Sequence, residues 1–156
     1  MISIDIPGWG NMEIENMVLD LNGTLATDGK IPTVVKKKIN ALAGQVKSYV
    51  LTADTQGTAT EEIQGMNVEL VKIGEKDSKE GKFTFLKMLD LEKTVVIGNG
   101  NNDQLILKEA GLGILVLGDE GISLAAMKHS DILVKNISDV LDLFTKPKRL
   151  IATLRE

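Results

Sequence analysis

The chain has 156 residues, 43% of them hydrophobic and 26% charged, with a net charge of −4. That length supports one hydrophobic core, and the acidic balance gives no general attraction to nucleic acid or to an anionic membrane. Cysteine is absent and histidine occurs once, which excludes disulfides, thiol catalysis, zinc–thiolate sites and histidine metal clusters.

Ile2, Ile4 and Ile6 alternate with polar residues and predict an edge strand or hairpin within residues 1–15, turning at Pro7-Gly8. Met17–Leu21 is the first buried strand. A helix follows Pro32, with Val35, Ile39 and Leu42 on one face and Gly44 as its stop. The Lys36-Lys37-Lys38 run on that helix reads as a solvated face. Ser48–Thr52 is the second strand. Thr58-Ala-Thr-Glu61 has the spacing of a capping box, for a helix that Gly65 would end.

Val68–Lys72 is the third strand, and Phe85, Leu86 and Leu89 then share a helical face. Thr94–Gly98 is the fourth strand, followed by a helix from Asn102-Asp103 to Gly111. Gly113–Leu117 and Asp131–Val134 complete the strands, with short helices at 122–128 and 137–145. Most strands are continuously apolar rather than alternating, as in a parallel sheet covered on both faces. The expected architecture is α/β: one domain over 1–156, a three-layer α/β/α Rossmann-like sandwich with a mainly parallel sheet. No basic-then-apolar leader and no apolar run of membrane-spanning length is evident, so the expected location is the cytoplasm.

Ligands of such sheets bind outside the carboxyl ends of the strands. There the chain places Asp20-Leu-Asn-Gly-Thr24, Thr52, and Gly98-Asn-Gly-Asn-Asn-Asp103, with Lys82 in the first turn of the helix that precedes the fourth strand. A carboxylate, a hydroxyl, an ammonium and an acidic amide-rich loop suit Mg²⁺ and a phosphoryl group. Competing readings are structural. Asn22-Gly23 is a type I′ hairpin dipeptide, so Asp20 could be a turn former. Lys76, Lys79 and Lys87 rival Lys82. Gly98-x-Gly100 lacks the third glycine of a dinucleotide loop, which Asp103 replaces. His129 reads as a helix-end residue, Asp54 as a cap for the next helix, and Trp9 as packing against a sheet edge or a partner.

These four segments, in this order, resemble the motifs of haloacid dehalogenase-like phosphohydrolases. The stretch from Lys82 to Leu143 is similar to the phosphorylation domain of P-type ATPases and to the small proteins called soluble P-type ATPases. It does so through Gly98–Asp103, Glu109-Ala-Gly-Leu-Gly-Ile114, Ala125-Ala126 and Asp131–Val134. The resemblance implies a Mg²⁺-dependent phosphohydrolase or phosphotransferase with Asp20 as nucleophile and Thr52 and Lys82 holding the phosphoryl group. Thr52, Ala53, Lys82 and Asn102 would form the substrate site. Asp20, the Asn22 carbonyl, Asn99 and Asp103 would form the metal site.

The chain departs from that pattern twice. Asn22 stands where most of these phosphatases carry an acid/base Asp, which implies slow hydrolysis. Asn99 stands where a metal-binding Asp is usual. Both departures also suit a weakened phosphate- or nucleotide-binding regulatory module, and a receiver-like phosphorylation switch is a third reading. The intervals from Asp20 to Thr52 and from Thr52 to Lys82 leave no room for a cap domain. An uncapped site implies a phosphorylated small molecule or phosphoprotein as partner, or a homo-oligomer that roofs the site.

Overall fold

The computed structural model describes residues 1–53 and 57–156. The N-terminal alternation becomes a hairpin rather than an edge strand of the main sheet. Strands β1 (Ile2–Ile6) and β2 (Gly10–Ile14) pair antiparallel across Pro7-Gly8-Trp9 and form a sheet of their own. Ile2, Ile4, Ile6, Met12 and Ile14 are buried from it, as period-two patterning requires.

The main sheet has six parallel strands: β3 (Asn16–Asp20), β4 (Lys47–Thr52), β5 (Glu69–Lys72), β6 (Thr94–Gly98), β7 (Leu112–Val116) and β8 (Ile132–Val134). Their spatial order is β5-β4-β3-β6-β7-β8, so the chain winds outward from β3 through β4 and β5, then returns to β6 on the other side. The topological switch therefore lies at β3, whose last residue is Asp20.

Helices cover both faces. Helices α1 (Thr33–Leu42), α2 (Thr58–Glu62), α6 (Ile137–Thr145) and α7 (Pro147–Leu154) share a core with Met17, Leu19, Val50, Ile97 and Ile114. Helices α3 (Ser78–Leu86), α4 (Gln104–Glu109) and α5 (Leu124–Met127) pack on Val18, Tyr49, Leu51, Val96 and Leu115. Phe85 of α3 meets Tyr49 edge-on, with ring centroids 5.2 Å apart. No cap domain stands above the strand ends among the described residues, and none of their helices is long and apolar enough to cross a membrane.

Several local expectations are corrected. Thr58 is the first helical residue of α2 rather than its cap; the cap position is Gly57, without a side-chain bond. The fourth helix opens as a 3-10 turn over Asn101–Asp103 before α4 begins. Asn22-Gly23 is not a type I′ turn, because only Gly23 has positive φ (+77°) and type I′ needs it at both residues. The lysine run is not merely solvated: Lys38 ties α1 to α6 through Asp142 at 2.7 Å. Helix α7 follows Pro147, which starts it at a position where a missing N–H costs nothing.

Leu150 anchors α7 and is fully buried. Leu150→Ala is expected to lower stability by about 2–4 kcal/mol in urea unfolding, through lost burial and the cavity it leaves; no change would mean that α7 is not integral. Glu62 accepts from the Ile31 N–H at 2.8 Å and sits near Lys36 and Lys30, so its carboxyl lies below the usual value, the backbone bond leading. A lowered carboxyl stabilises the fold above the ordinary glutamate range and ceases to do so as pH falls through the folded value. Glu62→Gln should therefore lower the urea midpoint at neutral pH, and its gap to the unsubstituted protein should close in acid.

Candidate active site

Alternation along β3 turns Met17 and Leu19 towards α1, and Val18 and Asp20 towards α3. Asp20 thus ends the strand facing Lys82, whose ammonium is buried one turn into α3. Lys82 Nζ donates to Asp20 Oδ1 at 2.9 Å, to Asp103 Oδ1 at 2.7 Å and to Asn102 Oδ1 at 3.2 Å. Three acceptors use the three ammonium hydrogens. Among the four candidate lysines, Lys82 makes this contact; Lys87 instead lies over the Phe83 ring.

The loop after β6 is built to deliver Asp103. Gly98 allows the chain to fold back, since a Cβ there would come within 2.7 Å of the Asp103 carboxyl carbon. The second oxygen, Asp103 Oδ2, accepts from the backbone N–H groups of Asn99 (3.1 Å) and Gly100 (3.0 Å). Asn102 is oriented by donating to Ser78 Oγ at 3.2 Å, and Ser123 Oγ donates to Asn101 at 2.7 Å. Ser78 and Ser123 were not among the expected site residues; their hydroxyls act across 24 and 22 residues of sequence, and no short motif marks them.

Thr52 is buried at the end of β4, beside β3, and Ala53 follows it half-buried. Asn22 is exposed on the turn after Asp20. Asp54 lies outside the described residues. His129 is exposed beyond α5, and Trp9 is partly exposed at the hairpin turn.

Charge in this cluster is unbalanced. Burial, reinforced by Asp103, pushes Asp20 up to about 7 in spite of the pull from Lys82. Burial opposes the Lys82 charge, but the two carboxylates raise it above the ordinary lysine value. Two carboxylates sharing one ammonium leave an excess negative charge that a proton or a cation can neutralise. The donors suit Mg²⁺ only sparsely. No cluster of three acidic or histidine side chains exists among the described residues, and Asp103 has both oxygens engaged. Asp20 and the Asn22 carbonyl remain, which fits an ion that keeps most of its waters and takes further oxygens from phosphate.

No family model matches the chain. An uncharacterized protein of Methanocaldococcus jannaschii is 46% identical over 95 residues, which is 58% of this chain and all of that protein, and the chain belongs to its family. A soluble P-type ATPase-like phosphatase of the same organism is 26% identical over 143 residues, covering 89% of this chain and 52% of its own length. Solved structures are similar in fold at low identity. A protein described as a HAD superfamily (subfamily III A) hydrolase, from Legionella pneumophila, superposes with a TM-score of 0.72 at 15% identity, over 90% of this chain and 86% of its own. The chain has the haloacid dehalogenase fold. A 3-deoxy-D-manno-octulosonate 8-phosphate phosphatase from Moraxella catarrhalis, solved with magnesium, phosphate and its sugar, shares it at TM-score 0.72, 18% identity, and 91% and 94% coverage of the two chains. A cobalt-bound counterpart from Haemophilus influenzae scores 0.73 at 16% identity, with 92% and 94% coverage.

Within this haloacid dehalogenase fold, Lys82→Met would leave two buried carboxylates without their shared cation. The expected loss is about 3–5 kcal/mol at neutral pH. Without the ammonium, which pulls the Asp20 carboxyl down, Asp20 is held higher still, so its protonation relieves the strain and the loss should shrink as pH falls. A loss that is small or independent of pH would contradict the charge accounting.

Proposed function

We propose that the chain is a phosphohydrolase or phosphotransferase acting through an aspartyl-phosphate on Asp20. The observation that carries the reading is the Asp20–Lys82–Asp103 contact at the switch point of the sheet, with Asp20 as its partly exposed member. A carboxylate held by an ammonium at the mouth of a parallel sheet is a nucleophile already oriented for phosphorus.

In the first step an Asp20 oxygen attacks phosphorus, the bond to the leaving oxygen breaks, and that oxygen departs with the electron pair. Lys82 offsets charge on the phosphoryl oxygens by exchanging its longest bond, to Asn102, for one of them, while the Thr52 hydroxyl donates to another. Bound Mg²⁺, held by Asp20 and the Asn22 carbonyl, would supply Lewis-acid neutralisation of the phosphoryl charge. Asn22 cannot deliver a proton, so leaving groups that depart as stable anions, such as acyl or aryl oxides, are favoured. In the second step water attacks phosphorus, releasing phosphate and the Asp20 carboxylate. No base stands at position 22 to activate that water, which slows this step by about 10²–10⁴-fold.

The open strand ends suit an exposed phosphorylated small molecule or a phosphoprotein. Incubation with Mg²⁺ and acetyl phosphate or an aryl phosphate should give slow turnover that disappears in Asp20→Asn. Asn22→Asp should accelerate hydrolysis by at least about tenfold. Beryllium fluoride with Mg²⁺ should raise the melting temperature of the unsubstituted protein but not that of Asp20→Asn. Absence of both turnover and beryllium fluoride binding would sink the proposal.

A further inference from the structure

Asn99 follows β6, yet its side chain does not point at the Asp20–Lys82 pair. Its Nδ2 donates to the Gly121 carbonyl at 3.2 Å, and its Oδ1 accepts from Thr24 Oγ1 at 3.2 Å. The orientation of the amide is forced, because a carbonyl oxygen can only accept and so must face the nitrogen. Three loops are thereby joined: the turn after β3 through Thr24, the loop after β6 through Asn99, and the loop after β7 through Gly121.

Packing reinforces the junction. A Cβ on Gly23 would collide with the Asn99 amide, and one on Gly118 would lie 3.3 Å from the Gly23 carbonyl. The backbone of Asn99 is itself fixed, its N–H on Asp103 Oδ2 at 3.1 Å and its carbonyl accepting from the Ser123 N–H at 2.9 Å. Thr24 is buried. A carboxylate at position 99 could accept from Thr24 but could not donate to Gly121, and would set a negative oxygen against that carbonyl.

We propose that Asn99, Thr24 and the Gly121 carbonyl form a clasp that positions the turn carrying Asp20 and the Asn22 carbonyl, with Asn99 a positioning residue rather than a metal donor. The part that concerns turnover rests on Asp20 being the nucleophile. The clasp holds the far side of the turn while Lys82 holds the near side, so Asp20 is oriented from both flanks.

Thr24→Val and Asn99→Ala should each lower kcat for an aryl phosphate by about ten- to a hundredfold, with KM moved by less than about threefold. The double variant should be no slower than the slower single one, because both remove the same bond. Thr24→Ser, which keeps the hydroxyl, should recover most of the rate lost in Thr24→Val. Binding of Mn²⁺ alone, followed by water relaxation, should be unchanged in Asn99→Ala. Amide resonances of residues 20–24 should shift alike in Thr24→Val and Asn99→Ala. Additive losses, tighter Mn²⁺ binding with faster turnover in Asn99→Asp, or unmoved resonances would each overturn the clasp. If the unsubstituted protein neither turns over nor binds beryllium fluoride, the functional reading fails while the resonance shifts still decide the clasp.

Discussion

The site depends on one buried ammonium shared between two carboxylates. Lys82 and Asp103 are almost wholly removed from solvent and Asp20 is only slightly exposed, so each depends on the others for the hydrogen bonds it would have made to water. Desolvating such a group costs several kcal/mol, and native folds are stable by only about 5–15 kcal/mol. The arrangement persists because its geometry is complete. Lys82 has three acceptors, and Asp103 spends its second oxygen on two backbone donors. The deficit falls on Asp20, which shares its cation with Asp103 and titrates near neutrality. Acidic excess is thus concentrated on the one member of the cluster that a ligand can reach.

The sheet supplies the convergence. Because β3 is central and the chain departs to one side and returns on the other, the carboxyl ends of β4, β3 and β6 lie side by side at one edge. Alternation on β3 then decides that Asp20 faces α3, where Lys82 waits. A register shift of one residue would send the carboxylate into the core beneath α1.

How much of this was legible in the sequence follows from the range of the forces involved. Strands buried on both faces leave continuous apolar runs, so β3 to β8 could be located to within a residue or two, and Thr94–Gly98 to its limits. Asp20, Lys82, Asn102 and Asp103 were legible because a known motif order marks strand ends, although composition alone could not prefer Lys82 over Lys79 or Lys87. Helix α7 was not legible: Pro147 after a lysine reads equally as a stop or as a first helical residue, and only Leu150 packing in the core decides. The partners of Asn99 were invisible for another reason. Thr24 lies 75 residues away and Gly121 lies 22 away, and an amide between two loops has no periodicity to betray it.

The two asparagines that set this chain apart from the motifs it resembles therefore act on different quantities. Asn22 is exposed, so in the proposed reaction its consequence would be chemical: an amide there would neither give a proton to the leaving group nor take one from water. Asn99 is bonded through both ends of its amide to two other loops, so its consequence is geometric. On the proposed mechanism, an acid placed at position 22 would change a rate without touching the frame of the site. An acid placed at position 99 trades a donor for a charge and loosens that frame. The same substitution of chemistry, amide for carboxylate, is separable in one place and bound into the fold in the other.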